Sequence, residues 1–293
     1  MKPLGLFTQG LNTGCHESSC DARDIKDRTI AQAYPYPLSF ETFIDALNIK
    51  GTDERYQKKI GVCVACTITT YVEWLYWKKT GTYVKLSVAF CYIVIKTLID
   101  KNRLEGTSAR SAIKAVMKYG ICTEATFPTN YDLTHDQFLD QKIPDAAWTE
   151  ALNYKIGGYI SVPVERSLMA GHIHKYGLLI TRYDCGETWW YPSWLPKDIL
   201  PLKKPNLFVS GHMVLEYYYD LATKSRFGFL NWWSKKWANL GTGYSDLEDF
   251  APTEAWALTL ESVMPLKVDN SPLVEESAWR KLLSALRLLK LIH

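Results

Sequence analysis

The sequence predicts an α+β fold, with helices in the first half of the chain and strands in the second. Three observations carry this. Apolar residues recur at helical spacing between about residues 61 and 119. From about Gly158 the pattern changes to β-rich runs bounded by turn residues. The composition, 47% apolar and 22% charged over 293 residues, is that of a globular chain long enough for one large domain or two small ones.

Taken in order, residues 1–56 read as an irregular arm, mixed in Gly, Pro and polar residues and extended at Tyr34-Pro35-Tyr36-Pro37. Gly61 to Thr80 reads as a helix, with Ala65, Ile68, Val72, Leu75 and Tyr76 on helical spacing and Gly81 as its stop. Leu86 to Ile99 is a second, capped by Ser87. Ser108 to Tyr119 is a third, with Gly120 just past its end. Tyr159 to Val162, Tyr176 to Tyr183, His212 to Tyr219 and Arg226 to Asn231 read as strands, with His172 and His174 alternating on a strand or loop before Tyr176. Val274 to His293 reads as a separate helix with a stripe of Trp279, Leu282, Leu283, Leu286 and Leu289. That stripe can pack on its own domain, dock on a partner chain or lie on a membrane surface.

Several function classes are disfavoured. A net charge of +3 is too small to argue for nucleic acid, and no nucleic-acid-binding motif appears. No run of 18 apolar residues exists, so no membrane span is expected. Met1 to Gly10 holds one Lys and no long apolar run, which gives an expectation of cytoplasmic synthesis without a signal peptide and of reduced thiols. The 13% aromatic content, with 11 Trp and 18 Tyr, suits a core of large side chains and an interface.

Seven cysteines stand at 15, 20, 63, 66, 91, 122 and 185. Cys63 and Cys66 with Cys15, His16 and Cys20 could be read as zinc ligands, but Cys15 and Cys20 do not form a standard pair, and no metal or cofactor is expected. A redox Cys-x-x-Cys needs a preceding strand, which the polar segment before Cys63 does not supply. Cys63 alone could also be a buried structural thiol, and His212 a satisfied core histidine.

The segment Gln57-Lys58-Lys59-Ile60-Gly61-Val62-Cys63-Val64-Ala65 changes that weighting. It resembles the papain-like cysteine peptidase family, in which Gln stands six positions before a nucleophile set in Gly-Ser-Cys-Trp-Ala. Gly61, Cys63 and Ala65 match; Val62 and Val64 do not. A register through Cys66 is the rival, but it puts Ile60, which cannot donate, at the oxyanion position. Gly211-His212-Met213-Val214-Leu215 is similar to the family's histidine strand. Phe229-Leu230-Asn231-Trp232-Trp233-Ser234-Lys235-Lys236-Trp237 is similar to its Asn-Ser-Trp-Gly run, with Trp232 for Ser and Ser234 for Gly. Leu104-Glu105-Gly106-Thr107-Ser108 resembles a cleft-lining segment of the family's bacterial and viral branch. The likeness runs from about residue 50 to about residue 250.

The resemblance implies a two-lobed fold: a helical lobe over about 51–150 and a twisted antiparallel sheet or half-barrel over about 151–260. An arm over 1–50 precedes it, and a linker with a helix follows over 261–293. It implies Cys63 as nucleophile, His212 as base and Asn231 as the residue that orients the base. Gln57 and the Cys63 backbone N–H would form the oxyanion hole. Trp233 and Trp237 would shield the site, and Gly106 would pair its backbone with a peptide or protein substrate. A start of the helix at Cys63 would favour its thiolate. The chain lacks the family's long helical propeptide signature. That keeps open an alternative, a structural or adaptor subunit of a large assembly such as a phage virion, in which the arm and the C-terminal helix contact other subunits.

Overall fold

The computed structural model describes residues 13–21, 24, 26, 36–42, 55–190, 202–222 and 225–261. All fall within one unit of the chain, Met1–Val263. The expected helix 274–293 and much of the arm 1–50 lie outside the described residues.

The α+β expectation holds. Helix α1 (Cys63–Thr80) is buried along its first twelve residues, which makes it the central helix of its side of the molecule. Gly81 ends it at φ 75°, in the left-handed region, with its N–H on the Trp77 carbonyl. Helix α2 (Val88–Val94) opens on Ser87, whose hydroxyl accepts the Phe90 N–H at 3.0 Å. It continues not as α-helix but as one π-helical stretch, Ile95–Asp100. After strand β3 (Thr107–Ser108), helix α3 (Ala109–Tyr119) is capped by Ser108 and buries Ala112, Ile113, Ala115 and Val116 on one face. Two short helices, α4 (His135–Leu139) and α5 (Asp145–Ala151), close this part. Thr134 and Gln137 form a reciprocal capping box on α4.

The other side is a sheet. Its long members are β5 (Leu179–Gly186), β6 (Phe208–Asp220) and β9 (Glu254–Thr259), with β4 (Gly158–Ser161), β7 (Arg226–Leu230) and β8 (Thr242–Asp246). Two strands come from the arm, β1 (Cys15–His16) and β2 (Ser39–Glu41). The path runs β3-β1-β6-β5-β9-β4, with β2 and β7 also on β6 and β8 on β7. Pairing is antiparallel except between β1 and β3. Alternation along β6 sends Met213, Leu215 and Tyr217 to the main core around α1, and Val214 to an aromatic cluster with Tyr183, Trp189, Phe229, Trp233, Trp237 and Phe250.

One segment differs from expectation. Arg166–Tyr176 is a helix, α6, and His172 and His174 lie on it rather than on a strand. Gly177 closes it with its N–H on the Ile173 carbonyl at 2.7 Å, and β5 begins only at Leu179. Helix α7 (Glu187–Trp190) follows β5 directly.

Candidate active site

Cys63 is the first residue of α1, and the residue before it, Val62, supplies no capping side chain. The segment leading in is held from two directions. Arg55 pairs with Glu73 in the interior, and Glu73 Oε1 also accepts the Leu86 N–H at 2.6 Å. The Gln57 N–H donates to the Trp232 carbonyl at 3.0 Å, which ties this segment to the chain that follows β7. Gln57 is buried, and its Nε2 donates to the Ile60 carbonyl at 3.4 Å. Gly61 N–H donates to Glu105 Oε1 at 2.8 Å, so the turn before Cys63 is bridged to the segment that carries Gly106.

His212 arrives on β6, next to Met213, whose backbone N–H lies beside the Cys63 sulfur. His212 Nε2 is 2.7 Å from Asn231 Oδ1. Trp233 stacks on the His212 ring at 4.5 Å and 29°, and Trp189 meets it edge-on at 5.5 Å. Trp237 backs both, donating its indole N–H to the Trp189 carbonyl at 2.8 Å. Among the described residues the His212 Nδ1 has no hydrogen-bond partner.

Burial sets the protonation states. It drives the His212 pKa down to about 4, with the Asn231 hydrogen bond pulling the other way. It pushes the Cys63 thiol up from its ordinary value, against the backbone N–H groups of Met213 and Gly14 beside the sulfur. The thiolate favoured by a helix start is therefore not the resting state here: both groups are neutral in this closed site. Cys66, one turn further in, is buried and pushed up to about 12, with Tyr131 OH 4.0 Å from its sulfur.

What closes the site is the chain's own arm. Strand β1 lies between β3 and β6, with Cys15 opposite both Thr107 and Gly211. Gly14 passes between Gly61 and Gly106 so closely that a Cβ on it would collide with the Gly61 backbone. The Thr107 N–H donates to the Gly14 carbonyl at 2.8 Å. The arm pairs with Thr107 and not with Gly106. The Gly106 N–H donates to Tyr92 OH at 2.9 Å and its carbonyl accepts from the buried Lys96 Nζ at 2.8 Å. Both of its backbone groups are thus engaged inside the fold, and the pairing with the arm falls to Thr107.

Sequence reasoning missed several contributors. Trp232, read as a departure, donates its indole N–H to Thr67 Oγ1 at 2.9 Å and to the Met213 carbonyl at 3.1 Å, clamping α1 to β6. Trp189, Glu105, Tyr92 and Lys96 carried no signal, since each acts through a backbone group or ring face that only the fold brings near. Ser234 has φ 72°, in the left-handed region that favours the Gly expected there from the resemblance. Among the described residues no cluster of three or more His, Cys, Asp or Glu could hold a metal ion, and no helix is long and apolar enough to cross a membrane.

No family model and no curated relative matches the chain. Solved structures do. Xylellain, a cysteine protease from Xylella fastidiosa, superposes with a TM-score of 0.69 at 19% identity, covering 86% of this chain and 96% of that one. Digestive procathepsin L 3 of the Tenebrio molitor larval midgut gives 0.62 at 15%, covering 85% and 76%. The Amb a 11 cysteine protease of ragweed pollen, in its proform, gives 0.56 at 18%, covering 80% and 69%. The fold is papain-like.

Proposed function

We propose, with the papain-like fold as premise, that the chain is a thiol peptidase held latent by its own N-terminal segment. The observation that carries this is the His212–Asn231 hydrogen bond beside a helix that starts at Cys63.

With the arm displaced, water reaches the site and the two desolvation costs relax. The Cys63 proton passes to His212 Nδ1, giving thiolate and imidazolium. The thiolate attacks the scissile carbonyl carbon, and the Gln57 amide and the Cys63 N–H hold the oxyanion. The imidazolium gives its proton to the leaving amine, the C–N bond breaks and a thioester is left. Water then attacks the thioester with His212 taking its proton. The carboxylic acid leaves, and the thiol is restored.

In the closed state the Gly14 backbone and the Cys15 strand fill the lane a peptide would use. The test is hydrolysis of a mixed fluorogenic peptide pool by the full chain, by Gly14→Val and by Gly14→Val/Cys63→Ala. The reading expects little turnover from the first, turnover from the second and none from the third. Equal turnover by the second and third would end it.

A further inference from the structure

Beyond the cleft, arm residues Glu17 to Asp21, Asp24 and Lys26 form one wall of a pocket of 430 Å³, and Arg110, Ser161 to Val164 and Thr253 to Trp256 form the other. Here the arm carries three carboxylates, Glu17, Asp21 and Asp24, and they meet two buried arginines. Arg110, 5% exposed, grips Asp24 with both ends of its fork, at 2.6 Å from Nη1 to Oδ1 and through Nη2 to Oδ2. Its Nε donates to the Ser19 carbonyl at 2.8 Å, Asp21 lies at 3.8 Å, and the guanidinium sits over the Trp256 ring at 5.0 Å. Arg182, 3% exposed, lies 3.8 Å from Glu17 and donates to Asp184 at 3.1 Å and to Thr253 at 2.6 Å. Among the described residues its Nε has no hydrogen-bond partner, and it lies against Gly211, the residue before His212. The fixed acid of the pocket, Glu254, is engaged by N–H donors: Ser18 at 2.7 Å and the Trp256 indole at 3.1 Å.

The carboxylates that face Arg110 belong to the arm. When the arm leaves, Arg110 loses both its carboxylate partner and the chain that covers it, and a carboxylate arriving on a substrate can take the place of Asp24. A planar fork in a fixed pocket also selects a carboxylate over an amide of the same shape.

Resting on the peptidase reading above, we propose that Arg110 and Arg182 form an anionic-peptide subsite. The substrates of the Cys63 centre carry acidic side chains where the arm carries Glu17, Asp21 and Asp24. The arm lies on these arginines as an internal mimic of such a substrate.

The test uses the full chain with Gly14→Val, which cannot seat the arm. Fluorogenic peptides carrying acids at the spacing of Glu17, Asp21 and Asp24, in both chain directions, are compared with peptides in which the acids are amides. The acidic peptides are expected to show about tenfold higher kcat/KM. Arg110→Gln should erase the difference, and Arg110→Lys should restore part of it. Asp24→Asn, which loosens the arm without touching Gly14, should give the same ordering. Binding to Gly14→Val/Cys63→Ala, followed by fluorescence anisotropy, separates the two ideas. Acid-selective binding without cleavage sinks the peptidase and keeps the subsite. Cleavage of acidic and amide peptides at equal rates sinks the subsite and leaves Arg110 as an anchor for the arm alone.

Discussion

Asn231 Oδ1 accepts two N–H groups, His212 Nε2 at 2.7 Å and the Trp232 backbone N–H at 2.7 Å. The backbone donor fixes the amide with its oxygen toward the ring, so the neutral imidazole carries its proton on Nε2 and its lone pair on Nδ1. That is the tautomer a base toward Cys63 requires. In the Gly14→Val background, Asn231→Ala should lower kcat/KM on the order of 10²-fold with little change in KM. Steady-state kinetics checks it, and Asn231→Asp should raise the His212 pKa while keeping part of the rate.

The depressed His212 pKa makes arm release acid-sensitive. In Cys63→Ala, where no thiol proton can pass to the ring, His212 holds its neutral form in the closed state down to about pH 4 and takes a proton near its ordinary value of about 6.5 once solvated. The open state therefore binds more protons between these values. The stability of the closed state is fully present above about pH 6.5 and is lost as pH falls toward 4. Limited proteolysis of the arm should quicken between pH 7.5 and pH 4.5 in Cys63→Ala, and this dependence should flatten in Cys63→Ala/His212→Ala.

Glu216 gives the opposite sign. It is buried, bonded to Tyr183 OH at 2.7 Å, and burial raises its pKa to about 8, with Tyr183 and Thr181 pulling it down. The folded state holds this proton and the unfolded chain releases it near pH 4.3, so stability is full below that and falls as pH rises toward 8. Denaturant unfolding should show up to about 1.4 kcal/mol lost per pH unit between roughly pH 5.5 and 7.5. Glu216→Gln should remove that slope.

Ser234 at φ 72° bears the cost of a Cβ in the left-handed region. Ser234→Gly should therefore stabilise the chain by about 1 kcal/mol, read as a rise in Tm of about 3 °C.

Where the sequence was legible, a single local cause acted. Ser87 caps the helix it was expected to cap, because a hydroxyl before an apolar run acts on its own first turn, and Ser108, read as the first residue of its helix, caps it in the same way. Gln57, Cys63, His212 and Asn231 could be picked out because each stands in a short pattern with recognisable neighbours. Helix α6 was missed because residues 168–173 are buried in an unbroken run, which hides the helical period, and the strand reading ran through Gly177. The arm in the cleft was missed because its signal at Gly14 is the absence of a side chain against two other glycines distant in sequence. The backbone partners of Gly106 were not legible, since Tyr92 and Lys96, which take its N–H and carbonyl, come from the helical and π-helical turns before it.

The most direct test is iodoacetamide labelling from pH 4 to pH 9 with site mapping by mass spectrometry, on Gly14→Val and Gly14→Val/His212→Ala. The account predicts that Cys63 labels well below the ordinary thiol value of about 8.5, and that this reactivity disappears without His212. Labelling at Cys66 instead, or Cys63 titrating near the ordinary value whether or not His212 is present, would contradict it.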